Sequence, residues 1–352
     1  MSHRVFVALS GGVDSSVTAA LLQQQGYDVT GIYMKNWTAD LPGVRCPWRE
    51  DLADARAVAA HLDIPFRVYD FETEYRQRVV DYMIAEYQAG RTPNPDIMCN
   101  QEIKFQLFLR TALGKGADLI ATGHYARAQD GQLLRAKDDA KDQTYFLYRV
   151  TRAALQKTLM PIGAYTKPEV RVLAKKFELP TATKKDSQGM CFVGPVGMKA
   201  FLQQYVETQP GPIVMADSRQ IGTHNGAIFY TIGQRSGLGV GGGKPFYVVD
   251  KNMETNTVVV TDNSEDLALH SDTIHLDNSH WIDTEPKTGK DYQVRFRHRG
   301  ELVECALGNT STLISTLGLK EQAKALAPGQ SVVLYDREVC LGGGIISAAE
   351  LV

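Results

Sequence analysis

The N-terminal half of the chain alternates apolar runs with stretches whose apolar residues recur at helical spacing. Four apolar runs predict strands, at residues 5–9, 29–34, 66–71 and 119–122. Helical spacing predicts one helix from Val17 to near Gly26 and a second over residues 50–62. Strands separated by such helices are typical of a parallel, doubly wound α/β sheet, whose ligands bind at the carboxyl ends of the strands.

The pattern changes near residue 209, where a Gln-Pro-Gly-Pro stretch precedes short β-rich segments and glycine-rich turns. A chain of 352 residues is long enough for two or three domains. We therefore predict an α/β domain over residues 1–206, a small mixed α/β central domain over 207–278, and a C-terminal β-barrel over 279–352.

The overall charge favours no particular partner. Apolar residues make up 43% of the chain and the formal net charge is −2, so any RNA binding must come from a local basic patch. No apolar run approaches the length of a membrane span, and the first four residues lead directly into a strand. We expect a cytoplasmic protein without a membrane partner.

The segment SGGVDSS (10–16) joins the first predicted strand to the first predicted helix. Its two glycines let the backbone approach an anion, and its three serines offer hydroxyl donors beside the positive end of the helix. A Walker loop would continue with a lysine; none follows here, which argues against a kinase or GTPase. The competing interpretation is a tight turn without a ligand.

Five cysteines are scattered without a C-x-x-C pair, which favours neither a disulfide framework nor zinc or iron–sulfur ligation. Cys99 directly precedes a predicted helix over residues 101–113, where the helix terminus would stabilise a thiolate. Cys191 follows two lysines in a polar loop, which also favours the thiolate. For both residues the pattern leaves open a catalytic or a packing role. Cys305 and Cys340 lie in apolar β-patterns and are predicted to pack, whereas Cys46 is undecided.

A basic stretch near residue 295 predicts an RNA-binding surface. Alternation along a strand would place Arg295, Arg297 and Arg299 on one face, with Val294 and Phe296 on the other. Such a face suits phosphate contacts. The alternative is a solvated face of the barrel without a ligand.

Eight motifs in a fixed order allow the sequence to be compared with a known family. They are SGGVDSS (10–16), GRTPNPDIMCN (90–100), ATGHYAR (121–127), KDQTYFLY (141–148), KKDSQGMCF (184–192), TIGQRSGLG (231–239), HWID (280–283), and PGQSVV with REVCLGGG (328–333 and 337–344). Over nearly the whole chain they resemble the bacterial tRNA-specific 2-thiouridylases. The loop itself resembles those of enzymes that split ATP into AMP and pyrophosphate. The resemblance implies ATP-dependent thiolation of C2 of wobble uridine 34 in tRNAs for lysine, glutamate and glutamine.

The resemblance also assigns residues. It implies an ATP site at Ala8, Leu9, Ser10, Gly11, Gly12, Val13, Asp14, Ser15, Met34 and Gly123, with Asp14 helping to hold Mg²⁺. The target base would meet Asn94, Pro95 and Asp96. Further tRNA contacts are implied at His124, Lys141, Asp142, Gln143, Arg297, His298 and Gln330.

The implied chemistry uses both loop cysteines. ATP adenylates the uracil oxygen, a persulfide on Cys191 supplies sulfur, and Cys99 resolves the exchange, leaving a Cys99–Cys191 disulfide. An order in which Cys99 first adds to the base stays open. The sulfur would come from a sulfur-relay protein or a cysteine desulfurase.

Two other functions fit part of the sequence. A ligase or amidotransferase with the same loop would adenylate a substrate but use ammonia, and its turnover would not need the cysteines. A non-catalytic tRNA-binding module with a nucleotide switch would bind tRNA without releasing pyrophosphate.

Overall fold

The computed structural model describes residues 2–40, 46–185, 197–241, 243–310 and 314–351. Strands of the first unit are β1 (Arg4–Ala8), β2 (Asp28–Lys35), β3 (Phe66–Asp70), β4 (Leu119–Ala121), β5 (Arg127–Gln129), β6 (Gln132–Leu134) and β7 (Thr158–Leu159). Its helices are α1 (Val13–Gln24), α2 (Trp48–His61), α3 (Glu72–Tyr75), α4 (Asp81–Gln88), α5 (Pro95–Met98), α6 (Leu109–Gly114), α7 (Arg152–Leu155) and α8 (Lys167–Lys176). Cys191 lies outside the described residues.

The first unit is built on a parallel sheet with the order β3-β2-β1-β4-β7, which confirms the doubly wound prediction. Alternate side chains of β1 pack on opposite faces of this sheet. Val5 and Val7 pack with the cluster of α1 and α2, whereas Phe6 packs with α3, α4 and the helical segments that follow. None of the helices built from the described residues has the length and hydropathy needed to cross a bilayer.

The first helix starts earlier than predicted. It begins at Val13, directly after Gly12, and not at Val17. The segment SGGVDSS (10–16) is therefore divided between a short loop and the first turn of α1.

The central unit contains α9 (Met198–Leu202), β8 (Gly211–Met215), β9 (Gln220–His224), β10 (Tyr247–Asn252) and β11 (Thr257–Thr261). Its sheet has the order β10-β11-β8-β9, with β8 and β11 parallel and the other pairs antiparallel. Ile213, Val248 and Val258 are fully buried in its core. The unit has its own apolar core and mixed sheet, as a small separate domain requires.

The C-terminal unit is a closed antiparallel barrel, as predicted. Its strands are β12 (His270–Trp281), β13 (Asp291–Arg295), β14 (Val303–Thr310), β15 (Ile314–Lys324), β16 (Ser331–Asp336) and β17 (Val339–Glu350). Their order is β12-β15-β14-β13-β16-β17, and β12 pairs with β17 to close the barrel. The predicted border between residues 278 and 279 falls within β12. Asn278 has a positive φ of 51° where the register with β17 shifts, so the strand bulges there and continues.

The first unit and the barrel share a sheet. The β5–β6 hairpin adds to the barrel through β17, with Leu134 opposite Val339 and Leu133 opposite Cys340. The segment that follows the hairpin then runs into the seam. There the Tyr145 hydroxyl donates to the carbonyl oxygens of Phe296 and Ser331, at 3.1 and 3.0 Å.

A buried ion pair closes this seam. Arg295 Nη1 lies 2.6 Å from Asp142 Oδ2, and the two residues are 6% and 1% exposed. Both residues were predicted to lie at an RNA-binding surface; the structure places both in the interior. β13 ends at Arg295, and Arg297 and Arg299 follow in an irregular exposed segment, so the predicted three-arginine strand face is wrong.

Removal of the Asp142 carboxylate should strongly destabilise the protein. Asp142→Ala leaves the Arg295 guanidinium unpaired in the interior, which costs about 3–5 kcal/mol. Equilibrium unfolding in urea measures this loss. The matched control is Glu338→Ala, which removes an exposed pair with Arg127 at the same seam and should cost at most about 1 kcal/mol. Equal losses in the two variants would contradict this account.

Candidate functional site

The loop after β1 leaves the start of α1 open to an anion. Gly11 has a φ of +76°, and a Cβ there would lie 2.3 Å from the backbone oxygen of Asp51, so the position requires glycine. Gly12 is the N-cap residue and has no side chain to cover the N–H groups of the first helical turn. Those N–H groups and the positive end of the helix macrodipole form a phosphate-sized anion site.

The serine hydroxyls shape this loop from within. The hydroxyls of Ser15 and Ser16 both donate to the Gly12 carbonyl oxygen, at 3.0 and 2.8 Å. Ser16 is fully buried and accepts a further bond from Thr181. The expectation that the hydroxyls of Ser15 and Ser16 donate to a bound anion is therefore wrong, because the one hydroxyl hydrogen of each is already used.

The predicted nucleotide residues converge at the carboxyl edge of the sheet. Ala8 and Leu9 are buried at the end of β1, and Met34 is half-buried near the end of β2. Gly123 follows β4, and a Cβ there would lie 2.7 Å from the backbone nitrogen of Ser15. A side chain at position 123 would thus cover the loop. These ends of β1, β2 and β4 meet where doubly wound sheets bind ligands.

Asp14 lies in the first turn of α1 and is held by two side chains. Lys167 Nζ lies 2.8 and 2.9 Å from its two carboxylate oxygens, and the Tyr125 hydroxyl donates to Oδ1 at 2.9 Å. The sequence analysis missed Lys167, which is 153 positions from Asp14 and carries no local motif. Within the described ranges, no group of three or more His, Cys, Asp or Glu side chains is arranged to hold a metal ion.

Cys99 lies inside a helix and not in front of one. Asn94 caps the helix by accepting from the backbone N–H groups of Asp96 and Ile97, and Pro95 occupies the first turn. Cys99 follows in the second turn, where a π-helical stretch (Cys99–Phe108) joins α5 to α6. The prediction that Cys99 precedes the helix is therefore wrong, and the thiol is 4% exposed.

A buried group of charged and polar side chains lies along the same helix. His124 Nε2 is 3.4 Å from Lys104 Nζ, and Nδ1 is 2.9 Å from Thr122 Oγ1. Because an ammonium can only donate, Nε2 accepts and Nδ1 carries the proton. Burial, with a smaller effect of Lys104, lowers the pKa of His124 well below its usual value. Burial raises the pKa of Asp96, against an opposing effect of Lys104.

The expected tRNA-contact residues fall into two groups. Asp142 is buried, and Gln143 accepts from the Tyr125 backbone N–H at 2.8 Å, so both have internal partners. Arg297 is exposed beside His298, whose ring packs against Phe146 at 4.6 Å between centroids with the two planes tilted by 40°. Lys141 and Gln330 are partly exposed.

Sequence comparisons cover almost the whole chain. Three family models match in order: a tRNA methyl transferase HUP domain at residues 3–195, a tRNA methyl transferase PRC-barrel domain at 199–262, and an aminomethyltransferase β-barrel domain at 271–346. The tRNA-specific 2-thiouridylase MnmA of Methylobacillus flagellatus is 45% identical over 99% of this chain and 100% of its own length. That of Ralstonia pickettii is 47% identical over 99% of this chain and 96% of its own. The chain belongs to the tRNA-specific 2-thiouridylase family.

Solved structures give a weaker likeness. A 4-thiouridine synthetase solved with RNA and ATP matches at 16% identity and a TM-score of 0.38, covering 57% of this chain and 50% of that one. A TM-score of 0.38 is too low to support a conclusion about the site. Membership of the 2-thiouridylase family therefore rests on the full-length sequence identity.

Two further cysteines of this 2-thiouridylase family member serve packing, as predicted. Cys305 and Cys340 are buried in the barrel and at its seam. Burial raises the pKa of Cys305 to about 12 and raises that of Cys340 as well, so both stay thiols at neutral pH. Cys46 is half-buried and donates to the Trp37 carbonyl oxygen at 3.6 Å, and burial raises its pKa.

His124 should make the stability of the protein sensitive to acid. Below about pH 6.5 the unfolded chain takes up a proton that folded His124 does not, so stability falls as the pH falls. His124→Gln should reduce the slope of unfolding free energy against pH by up to about 1.4 kcal/mol per unit. Unfolding in urea at several pH values between 7.5 and 5.5 measures the slope.

Part of the acid sensitivity should persist in His124→Gln. Burial also lowers the pKa values of His224, His280 and His298. Identical slopes for wild type and variant would show that His124 is protonated as readily in the folded state as in the unfolded chain.

Proposed function

We propose that this protein is an ATP-dependent tRNA sulfurtransferase, which converts C2 of wobble uridine 34 to the thio form in tRNAs for lysine, glutamate and glutamine. Family membership supports the reaction. One structural observation supports the proposal. The consecutive residues Gly123 and His124 contact the phosphate loop and the helical segment of Cys99, respectively. Gly123 lies against Ser15 of the phosphate loop, and His124 contacts Lys104 and Phe105 of the Cys99 helix. The segment after β4 therefore connects the predicted phosphate loop with the helical segment that carries Cys99.

The residues present fit an ATP site. The close backbone approach at Gly11 and the uncapped N–H groups after Gly12 suit phosphate oxygens. Bound ATP supplies the AMP group that turns the uracil oxygen into a good leaving group. Asp14 is the acidic side chain in this first turn, so it would hold Mg²⁺ together with the phosphates.

Sulfur transfer then uses the two cysteines. The outer sulfur of a Cys191 persulfide attacks C2, and AMP leaves with the former uracil oxygen. The Cys99 thiolate attacks the Cys191 sulfur, which breaks the S–S bond, releases 2-thiouridine and forms a Cys99–Cys191 disulfide. An external thiol reduces this disulfide, and a sulfur-relay protein or cysteine desulfurase reloads Cys191. The cytoplasm, whose thiol pool supplies such a reductant, is the expected location.

Nucleoside mass spectrometry tests the reaction directly. Unmodified tRNA-Lys is incubated with protein, ATP, Mg²⁺, and a cysteine desulfurase with cysteine as the persulfide source, and 2-thiouridine, AMP and pyrophosphate are measured. We expect 2-thiouridine only with ATP. Cys99→Ser and Cys191→Ser should lose the product while still releasing pyrophosphate, because adenylation needs neither thiol. Cys46→Ser is the matched control and should keep the wild-type yield.

The other outcomes of this experiment identify the competing functions. AMP formation that depends on ammonia and ignores both cysteines would indicate a ligase or amidotransferase. Binding of tRNA without pyrophosphate release would indicate a nucleotide-switched binding module. Full activity of Cys191→Ser would contradict the persulfide.

Arg297 should contribute one phosphate contact to tRNA binding. It is exposed beside His298, whereas Arg295 is committed to Asp142. Arg297→Ala should lower the slope of log affinity against log salt by about one. Arg219→Ala, at an exposed turn of the central unit, is the matched control and should keep the slope. An unchanged slope for Arg297→Ala would place the phosphates elsewhere.

A further inference from the structure

The phosphate loop obtains a lysine from a distant part of the chain. No lysine follows SGGVDSS in the sequence, yet Lys167 reaches the first turn of α1 from the start of α8. Its ammonium contacts both oxygens of Asp14 at 2.8 and 2.9 Å, and its side chain is 12% exposed. The same ammonium lies 5.7 Å from the centre of the Tyr125 ring.

The backbone of Lys167 is fixed at the start of α8, and its side chain extends to the phosphate loop. Thr166 and Glu169 form a capping box around the start of α8, and the Lys167 N–H donates to Asp138 Oδ2 at 2.8 Å. α8 also packs on α1, since Val170 and Val17 belong to one buried cluster. The ammonium is therefore held within reach of the loop, on a flexible four-carbon stem.

The pair with Asp14 cannot persist unchanged beside Mg²⁺. Asp14 is the carboxylate proposed to hold the metal, and its side chain is 30% exposed to the crevice. A divalent cation and an ammonium on the same carboxylate repel each other. The nearest new anion for the displaced ammonium is a phosphate of the nucleotide in the same loop.

We propose that Lys167 is the phosphate-binding lysine of this site. It pairs with Asp14 in the free protein and moves to the β- and γ-phosphate oxygens when Mg²⁺ and ATP bind. When the bond between the α-phosphorus and its bridging oxygen breaks, the electron pair goes to pyrophosphate. Lys167 stabilises that negative charge by hydrogen bonds, without transferring a proton. This inference rests on the proposed function and adds a residue to it.

Calorimetric titration of the full-length protein with three probes tests the inference. Lys167→Met should weaken binding of Mg²⁺–ATP and of pyrophosphate on the order of 10- to 100-fold, because a charge-assisted contact is lost. AMP lacks the β- and γ-phosphates, so its affinity should stay within about twofold of wild type. Lys137→Met is the matched control, since it removes an exposed ion pair with Glu169 on the same helix, and all three affinities should stay unchanged.

A second variant separates binding from folding. Lys167→Gln keeps a hydrogen-bond donor towards Asp14 and removes the charge, so it should fold and show the same selective loss. If either folded variant binds Mg²⁺–ATP as wild type does, or loses AMP and ATP equally, Lys167 only supports Asp14 and the inference fails. If wild-type protein binds no ATP, the proposed function fails first. Selective loss of ATP and pyrophosphate establishes the role.

Discussion

The buried carboxylate of Asp142 fixes the arrangement of the first unit against the barrel. Its oxygens accept from Arg295 of β13 and from the backbone N–H groups of Ala136 and Thr144. A charge in the interior is tolerated only when its lone pairs find donors, so the segment after the hairpin and the end of β13 must meet in this one arrangement. The hairpin that leads into this segment follows β4, which ends beside the phosphate loop. The exposed barrel residue Arg297 is therefore held at a defined position relative to the nucleotide crevice.

The acidic side chain of the phosphate loop is paired with a cation. Lys167 neutralises Asp14 at 2.8 Å. This pairing agrees with the formal net charge of −2, which provides no general attraction for RNA. ATP and tRNA are both polyanions. When they bind, cationic side chains have to leave their present partners, or Mg²⁺ has to bind together with the polyanion.

Local sequence patterns predicted those structural features that depend on residues close together in the sequence. Apolar runs located the strands of the parallel sheet, and the glycines marked the anion loop, because each follows from burial or backbone freedom at that position. Contacts between distant segments were not predictable: Lys167 reaches Asp14 across 153 positions, and Arg295 is buried by a segment far from it in sequence. Alternation along β13 predicted an exposed basic face because a pattern cannot show that a second unit covers the strand. The predicted border between residues 278 and 279 falls within β12, because a local pattern cannot show that a strand continues through a bulge.

The position of Cys99 sets the direction of the proposed sulfur transfer. Cys99 belongs to a continuous helical segment and packs in the largest buried cluster beside Ile97 and Ile103. Displacing it would break backbone hydrogen bonds and open the core, so sulfur has to be brought to Cys99 by another segment. The target uracil must also leave the base stack to reach the crevice, as enzymes that modify bases require. Burial shields the Cys99 thiol from water and oxidants until these partners arrive.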